Sequence, residues 1–430
     1  MDNYIVVKLG GSSQTTIGYN RLIRYAQTID NFKIVIVLSA VSGVTDLLEK
    51  YATTKDEAYL DQVKEKNDKL CSDLELRCDL SDYYNGINVN DDIHNKAKII
   101  GLGERLSTAI LFEYMKPIFK DVKLLSSYDF IKSTKEIDKL YDIVEFYGDK
   151  EVFLKLCGNS KIMICQGFIA STPSNQPILL GRGGSDTSGS IIANMLDAIE
   201  YRVWTDVSGI YECDPKLIKE AKRVDEIDYD LAQEISGMGA KVMHPYSIGP
   251  CKIKNIPIII ENTFDDSDAK TVIRKMNHDT YNHVFIAVQK NITLFKITSL
   301  DMWNSYGFVT KIFKKFSDNK IDVNVITTSP YSICTTTDET NDQSLRNVTN
   351  ALHTDFQVEV IRNCCIVSVV ASNVKKTSSL IDFNKFESHI IHFGANNMSL
   401  NFVVNDHSKN DIVNYLYYQV QSYDTHPSRA

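Results

Sequence analysis

Two continuous apolar runs near the N-terminus, "YIVVKLGG" and "KIVIVLSA", constrain the fold of this chain more than any other feature. Each is short, lacks polar alternation and ends in glycine or small residues, which is how a strand buried on both faces reads. Between them, residues 17–29 carry apolar side chains at helical spacing. Strand, helix, strand in that order predicts a parallel α/β sheet. Five more strand candidates, "VKLLSS", "KIMICQGFIA", "PILLGRGG", "YRVWTD" and "IPIIIENT", alternate with helix-like segments and extend the same architecture. The charged stretch 53–84 reads as a helical excursion, with Leu60, Val63, Leu70 and Leu74 available for a packed face. "AKIIGLGERLSTAILFEYM" reads as a helix interrupted at Gly101 and Gly103.

A second regime begins near His283. The runs "VFIAVQ", "ITLFKI", "IDVNVITT", "SICTTT", "FQVEVI", "CIVSVV", "HIIHFGA" and "SLNFVV" are interleaved with helical patterns at 307–316, 345–352 and 411–421. Strand–helix–strand–strand–helix–strand occurs, then most of it occurs again, which predicts two small α+β modules in tandem. At 430 residues the chain exceeds what one core organises, so two or three domains are expected.

Bulk chemistry narrows the function. The net charge is −8 and no stretch clusters Lys and Arg, which argues against a nucleic-acid partner. No apolar stretch has the length of a bilayer span, and "MDNYIVVKLGG" lacks a basic segment followed by an apolar one, so no membrane association and a cytoplasmic location are expected. The nine cysteines form no C-x-x-C ladder and lie scattered through apolar segments, so they read as reduced buried thiols rather than disulfide or metal ligands.

Polar loops follow the apolar runs. In "ILLGRGGSDTSGSIIANML", residues 178–196, an arginine, two glycines, a serine and an aspartate sit where a strand feeds a helix. Unpaired N–H groups and the positive end of the helix dipole make such a junction anion-binding ground, and Gly183 and Gly184 remove side chains that would hold a phosphate away. Lys8 precedes Gly10 and Gly11, so its ammonium can reach a phosphoryl oxygen while backbone amides hold the others; the bland alternative is a solvated strand end. Neither a Walker motif nor a G-x-G-x-x-G turn is present.

Glu104 in "GLGERLS" is either a first-turn glutamate stabilised by the helix dipole or a carboxylate that meets a cationic substrate group. Arg182 and Asp186 form either a turn ion pair or a substrate clamp plus a carboxylate aligning Lys8, and Asp186 could equally cap the helix. "WTDVSGIYECDPK" and "GMGAKVMHP" add Thr205, Asp206, Tyr211, Lys216 and Lys241, again after apolar runs. Ligands of open α/β sheets bind at the carboxyl ends of strands, and these loops share that position.

"KLGGSS", "LSAVSGVTDLL", "GERLS", "GRGGSDTS", "WTDVSGIYECDP", "GAKVMHP" and "NTF" occur in the order seen in aspartate kinases, and "SLDMWNSYGF" with "IDVNVITTS" resembles their regulatory region. The resemblance spans nearly the whole chain. It implies an amino-acid-kinase fold over 1–278, a mostly parallel sheet sandwiched by helices, then two ferredoxin-like ACT modules over 279–363 and 364–430. Strand 284–289 would complete the second module.

The implied reaction is attack of the β-carboxylate of L-aspartate on the γ-phosphorus of ATP, with Mg carried by the ATP phosphates and no protein metal site. Lys8 and Asp186 would be catalytic. Ser39, Thr45, Glu104, Arg182 and Ser185 would bind the substrate; Gly10, Gly11, Gly183, Gly184, Thr205, Asp206, Tyr211, Lys216 and Lys241 would bind ATP. Met302, Ser305, Phe308, Val309, Asp322, Val323, Asn324 and Ser329 map onto the effector pocket, and the family implies a homodimer joined through the ACT modules.

Departures accompany the matches. Lys216 stands where the family has arginine, keeping the charge but losing the planar fork. "IDVNVITTSP" differs from the "ISVDLITTSE" of lysine-sensitive members at Asp322, Asn324 and Pro330, with lysine still the leading effector. The competing readings are a kinase for another amino acid and a catalytically inactive amino-acid sensor. Retention of Lys8, Glu104, Arg182 and Asp186 together argues against the sensor, because a dead site has no physical need for a buried charge cluster.

Overall fold

The computed structural model describes residues 3–29, 31–85, 87, 89–142, 144–240, 243–276, 283–302 and 306–424. The chain divides into two compact units. The first is Met1–Ile210, Arg223–Ser236 and Lys241–Met276; the second is Tyr211–Lys222, Gly237–Ala240 and Asn277–Ala430.

The first unit is built on the sheet that the opening runs predict. β1 (Tyr4–Leu9), β2 (Lys33–Leu38), β3 (Val122–Leu125), β4 (Ile162–Gln166), β5 (Glu200–Thr205), β6 (Ile258–Asn262) and β7 (Lys270–Ile273) join in the order β7-β6-β5-β1-β2-β4-β3, with Glu226–Ile227 outside β7. β1, β2, β4 and β5 run parallel, so Leu9, Leu38, Gln166 and Trp204 finish level at one end. Only the β6–β7 pairing is antiparallel among these. β1 is buried at every position, as a central strand covered on both faces must be.

Helices α1 (Thr16–Thr28), α2 (Val44–Thr54), α3 (Ile93–Ile100) and α4 (Leu102–Met115) contribute to one core with the sheet, including Leu22, Leu48, Ile100 and Leu106. The Thr15 side chain accepts from the Gly18 N–H at 3.2 Å and starts α1. The break expected at two glycines occurs only at Gly101; Gly103 lies inside α4.

One strand expectation divides. "KIMICQGFIA" leaves the main sheet after Gln166 and continues as Ile169–Ser171 in a smaller sheet, ordered Phe146–Gly148, Ile131–Ser133, Ile169–Ser171, Pro177–Leu179. Phe168 makes the turn at φ 67°, a left-handed conformation unusual for a non-glycine residue.

The second unit is an antiparallel α+β structure. β8 (Val284–Thr298), β9 (Ile326–Thr328), β10 (Ser332–Thr337), β11 (Gln357–Ala371), β12 (Ile390–Phe393) and β13 (Ser399–Asn405) form a sheet in the order β9-β10-β8-β11-β13-β12. "VFIAVQ" and "ITLFKI" are one strand, as are "FQVEVI" and "CIVSVV"; register shifts between Gln289 and Leu294 accommodate the polar residues that separate the first two in sequence. Val284–Gln289 pairs with 366–371, while 293–298 pairs with 332–337 and 294–298 with 357–361.

Two cores follow from that division. Ile312 and Phe316, on the helix Phe308–Asp318, pack with Val348 and Leu352 of the helix Asp342–His353 against Phe295 and Ile297. Val367, Phe402 and Leu416 centre the other core, which Cys213, Ile218 and Ala221 of the Tyr211–Lys222 segment join. All nine cysteines are buried or half-buried, and none forms a disulfide. Among the described residues no helix is long and apolar enough to cross a membrane.

Candidate active site

The level strand ends of the first unit carry the site. Lys8 sits in register with Val37 and Val203, between two parallel neighbours, and is 8% exposed. Its ammonium lies 2.6 Å from Asp186 Oδ1 in the first turn of the helix Gly184–Leu196. A cation in that position is tenable only with a nearby anion, because an unpaired buried charge costs several kcal/mol. Gly183 takes the cap position at φ 66°, with no side-chain cap on the helix start, so Asp186 is an ion-pair partner and not the cap.

Glycine is required on both sides of the pair. A Cβ on Gly11 would stand 2.6 Å from the Ala40 carbonyl oxygen, and one on Gly183 would stand 2.2 Å from His244 Cβ. Gly10 N–H donates to the Trp204 carbonyl at 3.1 Å, fixing the turn to the end of β5. Gly184 opens the helix, and half-buried Ser185 follows it. Arg182 is exposed and forms no ion pair among the described residues. Thr205 Oγ1 donates to Asp206 Oδ1 at 3.2 Å beyond β5.

Glu104 is 2% exposed in the first turn of α4. Its Oε1 accepts from the Ala40 N–H at 3.1 Å, while Oε2 is buried with no hydrogen-bond partner. Burial pushes its pKa up to about 8, against the opposing pull of its own N–H and that of Ala40. Ser39 is tied to the same turn: its carbonyl accepts from Ser107 Oγ at 2.7 Å, and Ser107 Oγ also bonds the Glu104 carbonyl at 3.1 Å. Thr45 lies in the first turn of α2, behind Gly43 at φ 77°. Lys8, Asp186, Ser39 and Glu104 thus sit on one hydrogen-bonded frame.

The remaining expected residues belong to the second unit or lie outside the described residues. Tyr211, half-buried, and Lys216, exposed, belong to the second unit. Lys241 and Ser305 lie outside the described residues. In the second unit, Met302, Phe308 and Val323 pack against the Phe295 core, and Val309 is 52% exposed. Asp322, Asn324 and Ser329 are exposed; the Asn324 N–H donates to the Thr336 carbonyl at 2.8 Å.

Two residues at the site went unread in the sequence. His244, in "GAKVMHP", packs on Gly183 with its Nδ1 buried and without a hydrogen-bond partner. Burial lowers its pKa, with Asp186 opposing the shift and Arg182 adding to it. Phe168 packs on Gly184, and its N–H donates to Ser188 Oγ at 3.0 Å. An aromatic residue directly after a glycine at a strand end was the available signal. A cavity of about 200 Å³ beside α3 and α4, lined by Tyr83, Lys98, Leu102 and Arg105, contains none of the expected site residues.

A buried lysine–aspartate pair between glycine turns suits a phosphoryl group, and a buried carboxylate with an unpartnered oxygen suits an ammonium. That combination defines a kinase of amino-acid type. Residues 3–262 match the amino acid kinase family, and the chain belongs to that family. It is 26% identical over 459 residues to lysine-sensitive aspartokinase 3 of Escherichia coli, covering 97% of this chain and 99% of that protein. Among solved structures, E. coli aspartokinase III in complex with aspartate and ADP superposes with a TM-score of 0.79 at 25% identity, covering 97% of this chain and 99% of that one. The same enzyme in complex with lysine and aspartate gives a TM-score of 0.80 at 24% identity, with the same coverage. The resemblance to aspartate kinases read from the motifs is borne out.

Proposed function

We propose that the protein phosphorylates the β-carboxylate of L-aspartate with Mg-ATP, giving 4-phospho-L-aspartate and ADP, the first step towards lysine, threonine and methionine. The observation that carries this reading is the buried Lys8–Asp186 pair at 2.6 Å, in the same unit as the unpartnered Oε2 of Glu104. A substrate carboxylate oxygen attacks the γ-phosphorus in line, and the β–γ bridging oxygen leaves with the bond pair on ADP. The attacking carboxylate is already ionised at neutral pH, so the protein needs no base and supplies position and charge.

Lys8 stabilises charge on the transferring group, and Asp186 aims Lys8. Gly10, Gly11, Gly183 and Gly184 allow backbone N–H groups to approach phosphate oxygens. Glu104 takes the α-ammonium, Arg182 a substrate carboxylate, and Ser39, Thr45 and Ser185 the remaining polar atoms. Thr205, Asp206, Tyr211, Lys216 and Lys241 are assigned to the nucleotide by family resemblance. Mg arrives on the nucleotide as part of the substrate.

The second unit is assigned to regulation as two ACT modules, with boundaries at 279–363 and 364–430, and lysine as the effector. An effector inhibits only by binding the inactive arrangement better than the active one. A coupled ADP-release assay with Mg-ATP and a panel of amino acids is expected to give turnover with L-aspartate, inhibition by lysine, and weaker inhibition in Asp322→Ala, because Asp322 supplies the carboxylate missing at Asn324. Turnover with a different amino acid alone overturns the substrate, and inhibition by threonine alone overturns the effector. Leu300 at 80%, Tyr306 at 103% and Val309 at 52% exposure give the second unit apolar surface suited to a homodimer. Light scattering is expected to give twice the 48.7 kDa chain mass, and a monomer overturns the dimer.

A further inference from the structure

Two buried polar atoms without hydrogen-bond partners occur at the start of α4: Glu104 Oε2 and the hydroxyl of Tyr128. Tyr128 belongs to the short helix Ser127–Phe130 that follows β3. Its hydroxyl oxygen lies 3.0 Å from where a Cβ on Gly101, the residue that opens α4, would stand. The charged groups that act on it are Arg105 and Glu104.

The backbone beneath this tyrosine is held with unusual completeness. Ser127 N–H donates to Gln166 Oε1 at 3.0 Å, and Ser127 Oγ donates to the Gln166 carbonyl at 2.6 Å. The Tyr128 carbonyl accepts from Ser171 Oγ at 2.6 Å and from Lys132 Nζ at 3.2 Å. Gln166 Nε2 donates to Thr108 Oγ1 at 3.0 Å, and Thr108 Oγ1 donates to the Glu104 carbonyl at 2.8 Å. The segment bearing Tyr128 and the helix turn bearing Glu104 therefore form one hydrogen-bonded frame, with Glu104 Oε2 and the Tyr128 hydroxyl unpartnered.

Such an arrangement is costly unless a ligand completes it. A buried hydroxyl without a partner is destabilising, and an unpartnered carboxylate oxygen is more so. With Glu104 ionised in the complex, the group that completes both brings at least two donors and a positive charge. An ammonium has three donors and meets both conditions. We propose that Tyr128 is a substrate-binding residue whose hydroxyl oxygen accepts a hydrogen bond from the α-ammonium of the amino-acid substrate that Glu104 neutralises. The inference rests on the amino-acid kinase reading of the site and extends it to a residue that no motif marks.

Tyr128→Phe removes only the hydroxyl. The L-aspartate KM is expected to rise about tenfold, the size of one hydrogen bond to a charged group, with the ATP KM and saturated kcat nearly unchanged. The melting temperature of the ligand-free variant is expected to equal or exceed that of the wild type, because no protein hydrogen bond is lost. An unchanged aspartate KM overturns the inference, as does a lower ligand-free melting temperature with both KM values raised, which marks a structural hydroxyl. Wild-type protein that phosphorylates a different amino acid overturns the aspartate reading instead. The KM comparison is then made with that amino acid, whose ammonium the inference equally concerns.

Discussion

Lys8→Ala is expected to lower turnover by about a hundredfold or more at saturating aspartate and Mg-ATP, since a preorganised charge aimed at the transferring group acts mainly in the transition state. The same substitution is expected to destabilise the fold. With side-chain exposures of 10% and 14%, Lys8 and Asp186 form a largely buried pair, and removing one member strands the other. Breaking such a pair costs about 3–5 kcal/mol, whereas replacing both members by uncharged groups is often nearly neutral. Lys8→Met combined with Asp186→Asn is therefore expected to recover most of the stability and none of the activity. Steady-state kinetics and denaturant melts on the single and double variants check both halves. Near-native turnover in a folded Lys8→Ala protein would remove Lys8 from the chemistry.

The stability half of that expectation is not legible in the sequence. "VVKLGGSS" gives the strand, the glycine turn and a lysine at their junction, because period and turn chemistry are local. The burial of Lys8 depends on β2 and β5 flanking it, 25 and more residues away, and the partner at 2.6 Å comes from residue 186. The sequence likewise left Asp186 open between cap and ion pair; the left-handed Gly183 occupies the cap and leaves the carboxylate to Lys8.

Other features escape for the same reason. The division of "KIMICQGFIA" between two sheets turns on one left-handed residue, Phe168, in a run whose apolar pattern is continuous. The long strand Val284–Thr298 reads as two because its polar middle resembles a turn, and only the pairing with Gln357–Ala371 shows that the ladder resumes across a bulge. His244 lies inside "GAKVMHP" but nothing in that motif singles it out, and Tyr128 lies in no motif. Each is marked by a buried polar atom without a partner, a property of packing and not of pattern.

Glu104→Gln is expected to act in opposite directions on binding and on stability. Bound substrate loses its counter-charge, so the L-aspartate KM is expected to rise about a hundredfold, the scale of truncating one side of a buried charged pair. The ligand-free protein gains, with a definite pH dependence. Burial holds the Glu104 pKa at about 8, above the ordinary glutamate value of 4.5, so the folded state binds more protons than the unfolded state between those values. Stability from this group is fully present below the unfolded pKa and is lost as pH rises through the folded one. Wild-type protein is therefore expected to lose stability from about pH 4.5 to pH 8 relative to Glu104→Gln, which has no carboxyl to ionise there, and the gap should be widest above pH 8. Aspartate reverses the wild-type trend, because an ammonium stabilises the ionised carboxylate and lowers its pKa; binding below pH 8 then releases a proton. Thermal melts of both proteins from pH 5 to pH 9, with and without aspartate, read each effect separately. A pH-independent difference between the two free proteins would mean that Glu104 is ionised throughout and already has a cationic partner, and the unpartnered Oε2 could not then serve as the ammonium site.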